Sequence, residues 1–459
     1  MNKFFSYYRK EKELFMDISR MLSNRIFSLN RLFENDKIII RLLLLDFFSA
    51  MYAGYKQNKA FADGVTSVML EQGGKEEATV FMQKKKYPAR TAAFLNALYG
   101  HGAELDDGNK KAMGHIGVHV IPAVLSLAEA ERKKQKDIML AIAAGYEVFA
   151  RVSTAAQPGM VERSFHSTGM AGALASAVAC AKLLGLNSKG IESAMSFACT
   201  MSSGLLTYSE SQQMIKPINP AKAAETGVFA ARMAQMGLIG PENCLEGPNG
   251  WFNAVTSKYD EKALFANYDH LLLHDTYFKL YPSCRHTHCV IEAGINLHHS
   301  IDYENIKKIE VFIYPNAIKL AGIKFPKDAD ETKFSVYYTL ACSLLFGEYN
   351  VNYMNPPLKS EIIINTINKI CLIPDVSLED SVHGVRGAKV RVYTCDDRNI
   401  EETVLVPKGD PEKPLTEKDL VLKYNECADN LISVEKRERI LRYLLTFGDE
   451  DYYSAEELF

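Results

Sequence analysis

Between Tyr277 and His288 the chain reads Tyr-Phe-Lys-Leu-Tyr-Pro-Ser-Cys-Arg-His-Thr-His, setting two fixed cations, Lys279 and Arg285, beside the thiol of Cys284 and the imidazoles of His286 and His288. An apolar-periodic run follows, so the spacing predicts these groups at the start of a helix. The first turn of a helix leaves backbone N–H groups unpaired and carries the positive end of the dipole, which suits a carboxylate or a phosphate. With a helix beginning near Ser283, Cys284, His288, Ile291 and Ile295 share one face, and the two isoleucines mark that face as inward. A core histidine and a small buried thiol would give the same pattern. The order Cys-x-His-x-His-Cys lacks the paired-cysteine spacing of a structural zinc site, so no metal is expected there.

A second reactive stretch starts at His101. Glu104, Asp106 and Asp107 crowd beside Gly108, and Gly114-His115-Ile116-Gly117-Val118-His119 follows, with Pro122 as a first-turn residue of a helix over 123–131. His115 therefore belongs to a glycine-flanked loop at a helix start. The acids could equally cap and solvate the loop, and His119 could pack on the next helix. His115-x-x-x-His119 has the spacing of a zinc helix but no glutamate after the first histidine, and its glycines oppose a helix. Two further groups sit at helix starts. His166 precedes Ser167 and Thr168, natural N-caps for an alanine- and glycine-rich helix over 170–184, and Lys216 lies in a proline-flanked loop before a helix over 221–236.

The elements that must position these groups are mostly helical. Apolar periodicity predicts helices over 38–53, ending at Gly54, and over 89–98, 137–154 and 190–201, with a polar connector over 63–86. After residue 300 the pattern changes. Residues 307–314, 388–393 and 402–406 alternate as strands, the last two forming a ribbon around Asp396 and Asp397, with a helix over 334–345 between the first and second. Thr416 and Asp419 then open helical sequence running to about residue 445, before an acidic tail expected to fray.

A chain of 459 residues is long enough for two or three domains. Its 53 basic and 56 acidic residues leave a net charge of −3, so no global field favours nucleic acid or a membrane surface. Nine cysteines without framework spacing, and no secretory pattern over residues 1–30, point to a reducing cytoplasm. Arg41 interrupts the apolar run 38–45, and no run reads as a bilayer span. No phosphate-binding loop, RNA motif or internal repeat is present.

Taken together these segments resemble the MmgE/PrpD family, whose members include 2-methylcitrate dehydratase, cis-aconitate decarboxylase and iminodisuccinate epimerase. The resemblance spans about residues 42–444. It rests on His101-x(2)-Glu-Leu-Asp-Asp-Gly108, Gly114-His115-x-Gly, the run 120–129, Ala144-Gly-Tyr-Glu147, Phe165-His166-x-Thr-Gly169, 182–186, Phe278-Lys279-x-Tyr-Pro-Ser-Cys-Arg-His-Thr-His288 and Pro407-Lys-Gly-Asp-Pro411. It implies a mainly α fold, with an all-helical domain from residues 1–270 and 407–459, an inserted α+β lid over 271–406, a site in the cleft between them and a homodimer. It also implies action on a small polycarboxylate without metal or organic cofactor. The positions matching family site residues are Asp106, Asp107, His115, His166, Lys216, Lys279 and the segment from Cys284 to His288.

Proton transfer next to a carboxylate needs cations to hold the acid groups and a group that titrates near the working pH. Lys216, Lys279 and Arg285 are the expected clamps, with Cys284, His288 and Thr168 as further contacts. His115 and His166 are the expected acid/base pair, with Asp106 or Asp107 orienting His115 and Tyr146 as a further proton donor. The expected reaction is a dehydration. The alternatives are epimerisation of a dicarboxylate such as iminodisuccinate, decarboxylation of the cis-aconitate type, and carboxylate binding without catalysis. Three positions depart from the family pattern: Asn109 replaces a common histidine, Ile116 a proline and Ser167 a proline. The family's decarboxylases carry a histidine where Cys284 stands.

Overall fold

The computed structural model describes residues 17–208, 215–266, 269–354, 360–380 and 384–459. Of the amino-terminal stretch 1–30, residues 1–16 lie outside the described residues. Helices dominate the first half: α1 (Ile18–Ser28), α2 (Glu34–Gln57), α3 (Lys59–Leu70), α4 (Ala89–Gly100), α5 (Gly117–Ala130), α6 (Gln135–Ala156), α7 (Ser167–Leu183), α8 (Ser188–Met201) and α9 (Ile218–Gln235). They enclose an apolar core to which α13 (Glu417–Ala428) and α14 (Val434–Leu445) also contribute, so both ends of the chain build it. The alanine- and glycine-rich α7 is its centre. A Cβ added at Gly227 of α9 would come within 2.3 Å of the Ser176 Cβ on α7, an approach only glycine permits.

α2 runs straight through Gly54. A Cβ there would meet the Tyr99 carbonyl at 2.0 Å, so this glycine marks close packing on α4 and not the expected helix end. The expected connector over 63–86 is instead the second half of α3 and a short hairpin, β1 (Ala78–Val80) with β2 (Lys85–Tyr87). The polar stretch conceals it because α3 is largely exposed and buries only Ala62 and Thr66. By length and composition α2 and α6 could cross a membrane, but 78% and 89% of their most apolar windows are buried among neighbouring elements. They are core helices.

A smaller apolar core spans Tyr281 to Val404. It lies between α10 (His288–Leu297), α11 (Val336–Phe346), α12 (Glu361–Lys369) and a four-stranded sheet. With β5 (Ile306–Ile313), β6 (Ile370–Pro374), β7 (Ala388–Thr394) and β8 (Asn399–Val404), the strand order is β8-β7-β5-β6, and only the β5–β6 pair is parallel. Ile309 faces Val392 and Val311 faces Val390, so alternate residues of the centre strands meet in the core, as their alternation predicts. The tail is ordered to a final turn at Ala455–Leu458, with Ala455 and Leu458 buried, which corrects the expected fraying.

Candidate functional site

Two short strands bring the two reactive stretches together. Gly108 and Asn109 (β3) pair antiparallel with Thr276 and Tyr277 (β4), so the acidic loop and the lysine loop run side by side. Beneath both sits Lys423 of α13. Its buried ammonium donates to Asp46 Oδ1 at 2.6 Å, to the Leu105 carbonyl at 2.8 Å and to the Lys279 carbonyl at 2.8 Å. All three donors are used, on three separate chain segments.

Above this pin opens a cavity of about 890 Å³, with His101, Glu104, His115, His166, Lys216 and Lys279 in its lining. Glu104 takes a left-handed φ of 54°, unusual for a residue with a side chain, and two ammonium groups hold it there. Lys216 pairs with Oε1, while Lys279 donates to Oε2 at 3.2 Å and to the Glu104 carbonyl at 2.9 Å. Burial alone would raise this carboxyl, yet Lys216 and Lys279 hold it well below the usual carboxylate range. The expected clamps are thus present but share a protein carboxylate.

The three imidazoles form a cluster. The His101 ring lies 5.1 Å from that of His115 and 6.1 Å from that of His166, centroid to centroid. His115 Nδ1 lies 2.7 Å from the Asp107 carbonyl, which can only accept, so Nδ1 carries the proton and Nε2 the lone pair. His166, the N-cap of α7, has the opposite sense. The Asn219 amide donates to the Leu205 carbonyl at 3.3 Å, which fixes its nitrogen as donor, and the same nitrogen lies 3.0 Å from His166 Nδ1. His166 therefore accepts at Nδ1 and carries its proton on Nε2. Burial pushes His115 down to about 3 and His166 well below 6.5, with the nearby lysines adding to both shifts.

Beneath the imidazoles lie the expected residues that do not line the cavity. Asp106 accepts from His101 Nδ1 at 2.7 Å, and the same oxygen is 3.4 Å from His115 Nδ1. Despite its burial, the two imidazoles hold its carboxyl below the usual range. Asp107 caps α5 by accepting from the Ile116 and Gly117 amides at 3.2 and 2.9 Å, and the Tyr146 hydroxyl donates to its other oxygen. A Cβ at Gly117 would come within 2.7 Å of that hydroxyl, which explains the glycine. Burial, followed by the charge of Asp46, pushes Asp107 up to about 7. Thr168 accepts from the His115 amide at 3.1 Å. Tyr146, Asp107, Asp106 and Thr168 thus shape the site from below.

Because Asp107 caps residues 116 and 117, α5 starts six residues before the expected position and takes Pro122 inside it. His119 is consequently a core residue, with Nδ1 3.0 Å from the Ser176 hydroxyl, and does not share a site with His115. Among the described residues no cluster of histidine, cysteine and acidic groups could hold a metal.

The opposite wall belongs to the smaller core. Cys284, Arg285 and His286 line the cavity, but α10 begins only at His288, after a tight turn over Arg285–Thr287. His288 therefore turns away from the cavity, correcting the expected substrate contact. Its ring packs on Tyr281 and its Nε2 lies 3.4 Å from the Ser283 carbonyl. Arg285 pairs with Asp410, which also meets Lys110 at 3.3 Å. Lys333 crosses to the first wall, donating to the Gly102 carbonyl at 3.1 Å while paired with Asp330 at 2.6 Å.

His101 and Glu104 stand in the motif that names Asp106, but their partners are visible only in three dimensions. Lys333 and Lys423 carry no sequence signal, whereas Asn219, which its type and its place before Pro220 predict to be an N-cap, lies inside the first turn of α9, which begins at Ile218. At the departures, Asn109 Oδ1 accepts from the Ala112 amide at 2.9 Å, Ser167 accepts from Gln157 at 2.8 Å and Ile116 is buried, so each has a local packing role. A second cavity, of about 950 Å³, lies at α1 and residues 269–274. It holds none of the expected groups, and its Arg25 is paired with Glu147.

The fold and site define a mainly helical protein, with a smaller α+β core, whose reactive groups gather in one cationic, imidazole-lined cavity. Residues 35–263 match the MmgE/PrpD N-terminal domain and residues 281–447 the MmgE/PrpD C-terminal domain, and the chain belongs to the MmgE/PrpD family. A cis-aconitate decarboxylase-like protein of Aspergillus oryzae is 27% identical over 80% of this chain and 81% of its own length. The cis-aconitate decarboxylase of Homo sapiens is 28% identical over 79% and 78%, and that of Aspergillus terreus 25% over 76% of each.

Proposed function

We propose that the chain is a cofactor-independent lyase that decarboxylates cis-aconitate or a closely similar tricarboxylate in the cavity between the two cores. Enzymatic character is supported by the family and by relatives, matched over three-quarters of their lengths or more, that are named as decarboxylases. Their names move decarboxylation ahead of the dehydration that the motifs favour. The observation that carries the reading is the convergence of Lys216, Lys279 and three imidazoles on one cavity.

The chemistry asks for this set. When such an acid loses CO2, the electron pair of the broken C–C bond forms a new C=C bond. The old alkene pair moves to the carbon beside another carboxylate, and a proton must arrive there. Trianion becomes dianion, so each turnover consumes one proton. Lys216 and Lys279 stabilise the charge that develops on that carboxylate, in a site where ammonium groups act at low dielectric. His166 Nε2–H offers a donor to orient the acid, and the proton comes from the imidazole cluster. In this reading the unit over 271–406 is a lid on the helical domain, and the chain forms a homodimer, which sedimentation checks.

The test is proton NMR in D2O with cis-aconitate. The expected result is a terminal alkene product with deuterium in the methylene next to a carboxylate. Unchanged substrate, in a folded protein that tricarboxylates still stabilise thermally, would reject the reading. A second reading, dehydration of a hydroxytricarboxylate, is favoured by Cys284, which stands in the cavity where the family's decarboxylases carry histidine. Citrate and 2-methylcitrate in the same experiment separate the two, because dehydration gives an alkene without loss of CO2.

A further inference from the structure

A proton donor to carbon has to leave its proton behind without becoming an anion, so a catalytic imidazole must start as imidazolium. The site therefore needs one imidazole on which positive charge is stabilised despite burial and two neighbouring lysines. His115 spends its Nδ1 on a neutral carbonyl and His166 accepts from a neutral amide. His101 has the closest carboxylate, Asp106 Oδ2 at 2.7 Å from Nδ1, against 3.4 Å from the same oxygen to the His115 Nδ1 already used on a carbonyl. His101 is the C-cap of α4 and 1% exposed, and it lines the cavity. Its Nε2 has no hydrogen-bond partner among the described residues. A buried nitrogen left without a partner is unfavourable, and of the imidazoles in that state among the described residues, His101, His119 and His288, only His101 lines the cavity.

We propose that His101, with Asp106 behind it, is the acid that delivers the proton to the substrate carbon. This rests on the lyase reading above. The proton leaves His101 Nε2 as the C–C bond to the departing carboxyl breaks and a C–H bond forms. His101 is left neutral, with Nδ1–H still on Asp106, and solvent returns the proton before the next turnover. Asp106 is a positioning residue that acts through His101, an arrangement of carboxylate behind imidazole that fixes the tautomer and favours the charged ring. Besides Asp106, the charged and titratable groups around His101 are Glu104, His115, His119 and His166, with Lys216 and Lys279 in the same cavity, and the two lysines make Asp106 indispensable.

The experiment compares the full-length wild type with His101→Gln and Asp106→Asn, using cis-aconitate turnover from pH 5 to 9 and thermal stabilisation by the inert tricarboxylate tricarballylate. The expected result is a loss of kcat of at least about 100-fold in His101→Gln, with KM and tricarballylate stabilisation within about threefold of wild type. In Asp106→Asn kcat should fall on the alkaline side at a lower pH than in the wild type, because the carboxylate that favours the charged ring is gone. A His101→Gln enzyme within tenfold of wild-type kcat would overturn the proposal while leaving the lyase reading intact. Loss of tricarballylate stabilisation along with kcat would overturn it in favour of a structural role, as would an alkaline limb unmoved in Asp106→Asn. A wild type that turns over no cis-aconitate would instead remove the lyase reading, and the acid with it.

Discussion

The two walls of the cavity are built differently. The first, from residues 101–117 with His166 and Lys216, is set on buried polar contacts: Asp107 caps α5, Asp106 holds His101 and Lys423 fastens the loops from below. The second, from residues 284–334, stands on a separate core and meets the first through a few links, Lys333 to Gly102 and Arg285 through Asp410 to Lys110. A wall held by many mutually dependent contacts fixes geometry, whereas one held by few can shift as a body. Under the proposed lyase reading, the contrast assigns charge development to the first wall and substrate capture to the second.

Substitutions can break that division. Lys279→Met removes one of the two ammonium groups on Glu104, and kcat/KM should fall about 1000-fold, close to the cost of losing an oxyanion-stabilising donor. Steady-state kinetics on cis-aconitate checks this, and a loss carried mainly by KM would contradict the division.

Acid should act next most strongly, and again through the buried imidazoles. His115 and His119 are held at about 3 against a usual 6.5, with His166, His286 and His288 lowered in the same sense. Between those values the unfolded chain binds protons that the folded chain refuses, so stability is complete above pH 6.5 and falls as pH drops below it. Asp107, raised to about 7, and Asp46, raised to about 6, work in the opposite sense, since their folded states gain from the proton at low pH. The five imidazoles outnumber these two carboxyls, and a net loss of stability from about pH 7.5 to 5 is expected in urea unfolding. Bound tricarballylate should reduce that loss.

Arg285→Met tests the second wall. It removes a link to Asp410 while leaving Lys110 on that carboxylate, so KM should rise about tenfold with kcat within threefold, an effect near 1.4 kcal/mol. The smallest effect is expected from His288→Asn, which touches the core and not the cavity. Stability should drop by about 1 kcal/mol while kcat and KM stay within twofold.

Much of this was legible in the chain. The alternation in β5, β7 and β8, the capping box of Thr416 and Asp419, and His166 at a helix start all follow from local spacing. What failed depended on contacts far along the chain. The start of α5 is set by Asp107, ten residues before Gly117, and the clamps by Glu104, which lies 112 residues from Lys216 and 175 from Lys279. His288 fits the helical period of an inward face, but inward there means the smaller core, and periodicity cannot say which of two cores a face enters.

Lys423 also imposes an order in time. At translation rates of about 5–20 residues per second, the ribosome needs roughly 15–60 s to travel from the codons of the Asp106–Asp107 loop to that of Lys423. Throughout that interval Asp46 is without its ammonium partner, and neither the Leu105 nor the Lys279 carbonyl has its donor. Most of the helical core emerges first, α13 and the pin beneath the site come among the last parts made, and a message truncated before codon 423 yields a chain without that pin.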